Sequence, residues 1–241
     1  LTHYLSQLNI VSLFIRLHPL MNIMDLPNIT NALQVTHGPV VVIDLAQPIK
    51  NITENYSTNH KRGLKKLIGN GYTCRLNDWT QYEKFVVAYN ETMQFVDAGK
   101  YYYFNENYFV EIKKLLGDDL HLITAHDKNG DFTAGALFVD TNGLIQYHLG
   151  ASYNITRKDA SSKIVFDYAI QHFHMAGKDK LILGGGLGSE NDDLFRFKSG
   201  FSKQTLNFQT IRCIILDKIY NELNINTNSK NSGNFFPAYR S

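Results

Sequence analysis

Three short apolar runs in the middle of the chain constrain its fold most strongly. They cover Leu120–His126, Phe132–Val139 and Leu144–Gly150, and the pairs Asn129-Gly130 and Asn142-Gly143 separate them. An Asn-Gly pair between apolar runs is typical of a tight β-hairpin, because both residues tolerate the positive φ that such a turn needs. The sequence therefore predicts an antiparallel meander of three strands.

Helical patterns lie on both sides of this meander. Before it, Trp79–Asp97 repeats apolar residues at three- and four-residue steps, and a second helix is predicted over Asn107–Leu116. After it come a helix over Ser161–Ala176, a strand over Lys180–Leu183, a short helix over Asp192–Ser199 and a strand over Thr205–Leu216. This order predicts an α+β fold with a mixed, largely antiparallel sheet flanked by helices.

Shorter elements are predicted at the two ends of the chain. They are a helix at Leu1–Asn9, a strand at Val11–Leu17, an irregular connection at His18–Pro39, a short strand at Val40–Leu45, a helix within Pro48–Asn70 and a strand at Tyr72–Leu76. After Asn224 the chain is rich in Asn, Ser and Thr, so a loose tail is expected there.

The composition argues against several classes of protein. The 241 residues carry a formal net charge of +2, a smaller excess than is usual for binding nucleic acid through a broad basic face, and a local basic patch stays open as an alternative. Cys74 and Cys213 form no CxxC pair, which argues against a zinc ribbon and fits a reducing cytosol. No apolar run reaches the ~18 residues of a membrane span. We therefore expect a cytoplasmic location.

Familiar catalytic motifs are missing from the sequence. There is no Gly-x-Ser-x-Gly turn and no His-Glu-x-x-His, and the nine histidines show no spacing typical of metal ligands. We therefore expect neither a serine hydrolase nor a metal site, and no tightly bound cofactor.

Two stretches in the second half of the chain share a pattern with a known family. Tyr147-His148-Leu149-Gly150-Ala151-Ser152 ends the meander, and the stretch from Gly184 to Phe201 joins a glycine run to Phe197-Lys198-Ser199-Gly200-Phe201. Phe14–Leu20 and the closing Phe236–Arg240 match the same pattern. These segments resemble the FemAB-like proteins of the GNAT superfamily, including their BioF2-like acetyltransferase-domain relatives. The resemblance implies a GNAT-like (acyl-CoA N-acyltransferase) fold.

The resemblance also implies a division of the chain, because FemAB-like proteins contain two GNAT-like halves. Residues 1–45 are expected to be the C-terminal remnant of a first half. Residues 46–241 are expected to form a complete GNAT-like domain whose tail is loose after about residue 224. Since the chain opens at Leu1 in a helical pattern, we expect it to be truncated at the N-terminus.

The acyl donor is the point at which the sequence departs from the acetyl-CoA enzymes of the superfamily. Those enzymes place a glycine-rich turn after the central strand, and its backbone N–H groups bind the pyrophosphate. The corresponding residues 154–162 contain no glycine. This difference favours aminoacyl-tRNA, the donor of FemAB relatives, over acyl-CoA as the co-substrate.

The resemblance predicts an acyl- or aminoacyl-transferase that moves an activated acyl group onto an amine. The acceptor would be a peptidoglycan precursor or another peptide or polysaccharide of the cell wall or envelope. Two alternatives remain open. One is a CoA-dependent N-acyltransferase of a small amine or sugar amine, and the other is a catalytically degenerate GNAT-fold binding module.

Catalytic candidates follow from the position at which a GNAT sheet splays apart. The resemblance places Tyr147, His148 and Ser152 there, at the end of the central strand. His148 is predicted to accept a proton from the attacking ammonium, because its pKa lies near neutrality. Backbone N–H groups near Gly150–Ser152 are predicted to hold the oxyanion. Alternatively, His148 is an ordinary strand histidine.

Substrate-binding candidates come from three further segments. In the family's pattern Lys198 faces an anionic group, and Gly185 and Gly186 let the backbone approach a ligand. The basic helix with Lys61 and Arg62 is predicted to bind phosphate, helped by Arg16, and Tyr101 and Tyr103 of an aromatic loop are predicted to close over the acceptor. The alternatives are a solvated helix face, a turn that the fold requires and aromatic core filling.

Overall fold

The structure, a computed structural model that describes residues 1–20, 31–226 and 235–240, contains both helices and strands. The helices are α1 (Thr2–Gln7), α2 (Ile49–Glu54), α3 (Thr58–Gly69), α4 (Tyr82–Phe95), α5 (Glu106–Leu116), α6 (Ser162–Met175), α7 (Asp193–Ser199) and α8 (Asp217–Asn226). The strands are β1 (Ser12–Leu17), β2 (Ala32–Asp44), β3 (Thr73–Leu76), β4 (Leu120–His126), β5 (Phe132–Thr141), β6 (Leu144–Ser152), β7 (Lys180–Gly184) and β8 (Thr205–Ile214).

Two compact units make up the chain. The larger comprises Val41–Leu187 and Asn191–Thr205, and the smaller comprises Leu1–Val40, Gly188–Glu190 and Leu206–Ser241. The expected division into residues 1–45 and 46–241 stays a prediction.

The sheet of the larger unit has the strand order β2-β7-β6-β5-β4-β3. Strands β4, β5 and β6 form the predicted antiparallel meander, with Leu122 opposite Leu137 and Ala136 opposite Gly150. Strand β7 runs parallel to β6, whereas β2 pairs with β7 and β3 pairs with β4 in the antiparallel sense. The sheet is mixed and largely antiparallel, which confirms the predicted α+β class.

Helices cover both faces of this sheet. On one face, α3 and α6 contribute Leu67, Phe166 and Phe173 to a buried apolar cluster. On the other face, α4 and α5 contribute Phe85 and Phe109 to a second cluster. Burial of apolar surface on both faces of the sheet stabilises these three layers.

The smaller unit is built around β1 and β8. These strands pair in the antiparallel sense, with Phe14 opposite Arg212 and Arg16 opposite Thr210, and β8 lies next to the first part of β2. Helix α8 places Tyr220 against Phe236, with ring centroids 6.1 Å apart.

The sequence interpretation was wrong for two elements. Strand β2 begins at Ala32 and not at Val40, because the fixed φ of Pro39 is compatible with extended backbone although the residue lacks an N–H donor. Helix α8 was not predicted, and it extends past Asn224 into the expected loose tail. The interpretations of residues 21–30 and 227–234 lie outside the described residues.

Candidate active site

Strands β6 and β7 separate near the middle of the larger unit's sheet. In the described chain the last pair that joins them is Gln146 with Ile182, although β6 continues to Ser152 and β7 to Gly184. The register between β5 and β6 shifts at His148, so this residue forms a β-bulge. Bulges of this kind are frequent next to active sites, since they re-aim neighbouring side chains.

A cavity of about 180 Å³ lies along the second half of β6, beyond its last pair with β7. Its walls combine small residues of the sheet with side chains of α4, α6 and α7: Thr92, Gly135, Tyr147, Gly150, Ala151, Ser152, Ser162, Val165, Phe166, Leu194 and Phe197. Two of the predicted catalytic residues, Tyr147 and Ser152, therefore line the same space.

The side chain of Tyr147 lies along its own strand and reaches Gly150. Its ring packs against Phe166, with centroids 4.8 Å apart, and against Phe138 at 5.9 Å. A Cβ atom at Gly150 would overlap Tyr147 Oη, so glycine leaves the space that the phenol occupies. Burial raises the pKa of Tyr147 above its ordinary value, and the phenol is therefore neutral.

Lys198 is a buried cation beside this tyrosine. Its side chain is 5% exposed, and Nζ donates a hydrogen bond of 2.6 Å to the Gly185 carbonyl. Nζ also lies 5.4 Å from the centre of the Tyr147 ring. Burial lowers the pKa of Lys198 to about 8, although the Asp192 carboxylate opposes this shift. Charged lysines are rarely buried so completely, which makes Lys198 a functional candidate.

The helix α7 that carries Lys198 is fixed at its beginning by Asp192. The carboxylate accepts hydrogen bonds of 2.8 Å from the N–H groups of Phe195 and Leu187. Asp192 thus caps the helix and ties it to the turn after β7.

The glycines at the end of β7 and in the turn after it have two different roles, one in backbone conformation and one in holding Lys198. Gly184 and Gly188 have φ of 80° and 61°, values that glycine adopts more easily than other residues. Gly185 contributes the carbonyl that holds Lys198, and Gly186 follows it in the same turn.

His60 is a buried residue of α3 that contacts α7. Its Nε2–H donates to the Phe197 carbonyl at 2.9 Å, and its ring lies 4.3 Å from that of Phe201. Burial lowers the pKa of His60 to about 4, so the imidazole is neutral and its role here is packing.

His148 has a different environment from Tyr147. Its Nε2 lies 2.6 Å from the Tyr108 hydroxyl of α5, and it is not among the residues that line the cavity. Burial lowers the pKa of His148, which favours the neutral imidazole. Its role as a proton acceptor stays a prediction.

Thr92 is a lining residue that the sequence did not reveal. Its Oγ1 accepts a hydrogen bond of 3.1 Å from the Ser152 N–H and donates to the Ala88 carbonyl at 2.8 Å. The Ser152 N–H therefore already has an acceptor, whereas the sequence interpretation had treated this region of backbone as free to hold an oxyanion.

The remaining predicted binding residues lie away from the cavity lining. Lys61 and Arg62 are exposed on α3, and Lys61 Nζ donates to the Glu54 carbonyl at 2.7 Å. Tyr101 and Tyr103 are 81% and 42% exposed around a 3₁₀ turn. Arg16 belongs to the smaller unit, where it lies over the Phe208 ring. Their proposed roles stay predictions.

The described residues contain neither a group of metal ligands nor a helix that could span a membrane. Residues 1–20, 31–226 and 235–240 contain no group of three or more His, Cys, Asp or Glu side chains placed to hold a metal ion. Over the same ranges, no helix has both the length and the apolar character to cross a membrane.

Solved structures share this fold at low sequence identity. FemX matches with a TM-score of 0.64 and 12% identity over 76% of this chain and 63% of FemX. L-PGS from Bacillus licheniformis matches with a TM-score of 0.54 and 13% identity over 76% of this chain and 62% of that protein. The C-terminal domain of an Agrobacterium fabrum protein described as a lysylphosphatidylglycerol synthetase matches with a TM-score of 0.55 and 12% identity. The match covers 76% of this chain and 62% of that domain's structure.

These likenesses confirm the FemAB-like resemblance at the level of the fold. The chain spans slightly less than two thirds of the length of each of these three structures. No family model and no curated protein matches the chain.

Proposed function

We propose that this protein transfers an activated acyl or aminoacyl group onto an amine, in the modification of a cell-envelope component. The observation that carries the proposal is the buried Lys198 ammonium, held beside Tyr147, whose side chain lines the cavity. The shared fold with FemX and with lysylphosphatidylglycerol synthetase supports the same class of reaction.

The chemistry requires stabilisation of one developing negative charge. The amine nitrogen forms a bond to the donor carbonyl carbon, and the carbonyl oxygen becomes an oxyanion. The bond to the leaving oxygen or sulfur then breaks, and the former amine loses a proton. A buried cation, shielded from water, stabilises the oxyanion more strongly than it would in water. Lys198 supplies that charge, and the neutral Tyr147 hydroxyl can donate a hydrogen bond.

The turn before α6 favours aminoacyl-tRNA over acyl-CoA as the donor. Asn154–Asp159 form a 3₁₀ turn that ends at Ala160, where φ is 54°. The Arg157 guanidinium folds back onto Asn154 Oδ1 at 2.8 Å and lies 3.8 Å from the centre of the Phe95 ring. Every residue of this turn carries a side chain, so a pyrophosphate would meet less accessible backbone than in a glycine-rich loop.

The acceptor is proposed to carry phosphate near α3. Lys61 and Arg62 are exposed there and available to an anionic carrier such as a nucleotide-linked peptidoglycan precursor. This step rests on charge alone and is separable from the role of Lys198.

The test compares Lys198→Met with Lys203→Met, an exposed lysine on the loop after α7. Each variant is assayed with aminoacyl-tRNA and with acyl-CoA as donors, and with amine acceptors that include peptidoglycan precursors. We expect Lys198→Met to lose about 100-fold or more of kcat, the usual effect of removing one oxyanion donor, and Lys203→Met to keep it.

The pH dependence gives a second measurement of the same role. If the protonated amine acts, transfer falls as pH rises through the Lys198 pKa of about 8. We call this fall at high pH the alkaline limb of the pH–rate profile. Lys198→Arg should not show it, because arginine keeps its positive charge at these pH values. Full activity of Lys198→Met would remove the proposed mechanism, and efficient transfer from acyl-CoA but not from aminoacyl-tRNA would overturn the donor assignment.

A further inference from the structure

One face of the smaller unit's sheet carries cations and aromatic rings. Arg16 stands opposite Thr210, and Phe14 stands opposite Arg212, across the antiparallel pair of β1 and β8. Side chains that face each other across such a pair, and those two residues apart along a strand, share a face of the sheet. Phe208 therefore joins this face as well.

Aromatic contacts hold these cations in place. The Arg16 guanidinium carbon lies 5.1 Å from the centre of the Phe208 ring, and the His37 ring lies 5.3 Å from the same centre. His37 Nε2 and Thr210 Oγ1 are 2.9 Å apart. Because stacking on a ring orders a guanidinium before any ligand binds, less side-chain entropy is lost on binding.

The arginines of this face have no acidic partner in the part of the chain that the structure describes. Strands β1 and β8 and the smaller unit's part of β2 contain no Asp or Glu. Within the described residues neither Arg16 nor Arg212 forms an ion pair, and Arg212 Nε is buried without a hydrogen-bond acceptor. Burial lowers the pKa of His37, and the charges of Arg212 and Arg16 lower it further. Both arginines thus act on the imidazole, and among the described residues no ion pair offsets their charges.

We propose that this face, formed by Arg16, His37 and Arg212, binds the phosphate or diphosphate group of a small phosphorylated ligand. A guanidinium fork matches the oxygens of phosphate, and two forks with an imidazole suit a multiply charged anion better than a single carboxylate. The face is also short, since Phe236 of the C-terminal segment stacks on Phe14 with centroids 6.1 Å apart. Two arginines and an imidazole on a short face fit one or two phosphate groups rather than a nucleic-acid strand.

The test is a titration of the full chain followed through the His37 imidazole by NMR. The probes are inorganic phosphate, pyrophosphate and, as a carboxylate control, acetate, all at constant ionic strength. We expect pyrophosphate to bind most tightly and to raise the pKa of His37, because the bound anion offsets the charges of the two arginines. A His37→Gln variant assigns the signal.

Two charge-matched variants separate this site from general attraction. Arg16→Gln should weaken pyrophosphate binding about tenfold or more, as expected for loss of hydrogen bonds to a charged group. Lys218→Gln removes an exposed cation of α8 in the same unit and should leave the affinity unchanged.

Several results would overturn the proposal. The site is absent if millimolar pyrophosphate leaves the His37 signal unmoved, or if Arg16→Gln and Lys218→Gln lose affinity equally. Equal binding of acetate would exclude phosphate as the preferred group. A further contrary result is that a short single-stranded RNA binds more tightly and displaces pyrophosphate from His37. That result would show that the face binds nucleic acid and not a small phosphorylated ligand. None of these outcomes depends on transfer activity, so they are distinguishable from failure of the proposed function.

Discussion

The Tyr147 phenol lies close to the backbone of Gly150. A Cβ atom at position 150 would overlap Tyr147 Oη and lie 3.1 Å from two carbons of the ring. Any side chain there must push the ring away from Lys198 or distort β6. Glycine is therefore needed for the space it leaves, since Gly150 is not among the glycines with positive φ in the described chain.

We expect Gly150→Ala to lower the free energy of unfolding by about 1–3 kcal/mol, the usual effect of inserting a methyl group into a packed region. Transfer should fall too, because the displaced phenol would no longer lie beside Lys198. Urea unfolding and a transfer assay measure the two effects.

Gly99→Ala is the matched control. Position 99 has φ of −57°, and a Cβ atom there would meet no heavy atom within 4 Å. This variant should keep its activity and gain up to about 1 kcal/mol of stability, because alanine restricts the unfolded chain. If Gly150→Ala unfolds at the same urea concentration as the wild type, Tyr147 does not occupy this position in solution.

The sequence was enough to identify some residues in and beside the cavity, but not their burial or their tertiary contacts. Lys198 was a candidate from its place between Phe197 and Phe201 and from the family's pattern. Its burial was not predictable, because it depends on how α7 packs over the turn after β7. Thr92 was missed, since only tertiary packing brings it to Ser152, which lies far from it along the chain.

At the scale of the element, α7 positions Lys198, and Asp192 positions α7. The two oxygens of Asp192 hold two backbone N–H groups, one on each side of the turn that leads into the helix. The same carboxylate raises the pKa of Lys198 against the effect of burial. Asp192 therefore acts on Lys198 through both geometry and charge.

We expect Asp192→Ala to lower the free energy of unfolding by about 1–2 kcal/mol through loss of the cap. Transfer should fall because Lys198 loses its fixed position. Asp192→Asn keeps an acceptor oxygen and should recover part of the stability, but it removes the charge. The alkaline limb of the pH–rate profile should therefore move to lower pH in Asp192→Asn.

Asn105→Ala provides the comparison for this element. Asn105 caps α5 by accepting a hydrogen bond of 2.9 Å from the Tyr108 N–H. Asn105→Ala should lower the free energy of unfolding about as much as Asp192→Ala does, but it should leave the alkaline limb of the pH–rate profile where it is. If both variants change the pH–rate profile equally, Asp192 has no specific influence on Lys198.

Elements with strong local signals were predicted closely, and elements that depend on distant partners were not. The meander strands and α6 agree with the sequence to within about two residues, because turn glycines and apolar periodicity are local properties. The first part of β2 has mixed polarity, and pairing within the sheet makes it a strand. Helix α8 has a polar sequence, and Tyr220 is a buried residue within it.

At the scale of the whole molecule, the order of elements was enough to predict the α+β class and the mixed sheet. The separation of β6 from β7 was expected only through the family resemblance, since no local pattern marks the residue at which two strands stop pairing. The grouping of β8 with β1 in one compact unit joins opposite ends of the chain, and only the structure reveals it.

The histidines give the molecule a collective dependence on pH. Burial lowers the pKa of seven of them: His18, His37, His60, His121, His126, His148 and His172. In the unfolded chain these groups take up protons near pH 6.5, whereas in the folded chain they do so only at lower pH. The unfolded state thus binds more protons in this window, so stability is lost as pH falls.

We expect the free energy of unfolding to drop by about 2–4 kcal/mol between about pH 7.5 and pH 5, since each such group contributes up to about 1.4 kcal/mol per pH unit. Urea unfolding followed by circular dichroism at the two pH values measures this drop. His60→Gln should reduce it, because His60 has a pKa of about 4 and contributes across the whole window. An unfolding free energy that stays constant or rises toward pH 5 would mean that these imidazoles are protonated in the folded protein. The packing of His60 between Phe197 and Phe201 would then be incorrect, because a charged ring would not be retained there.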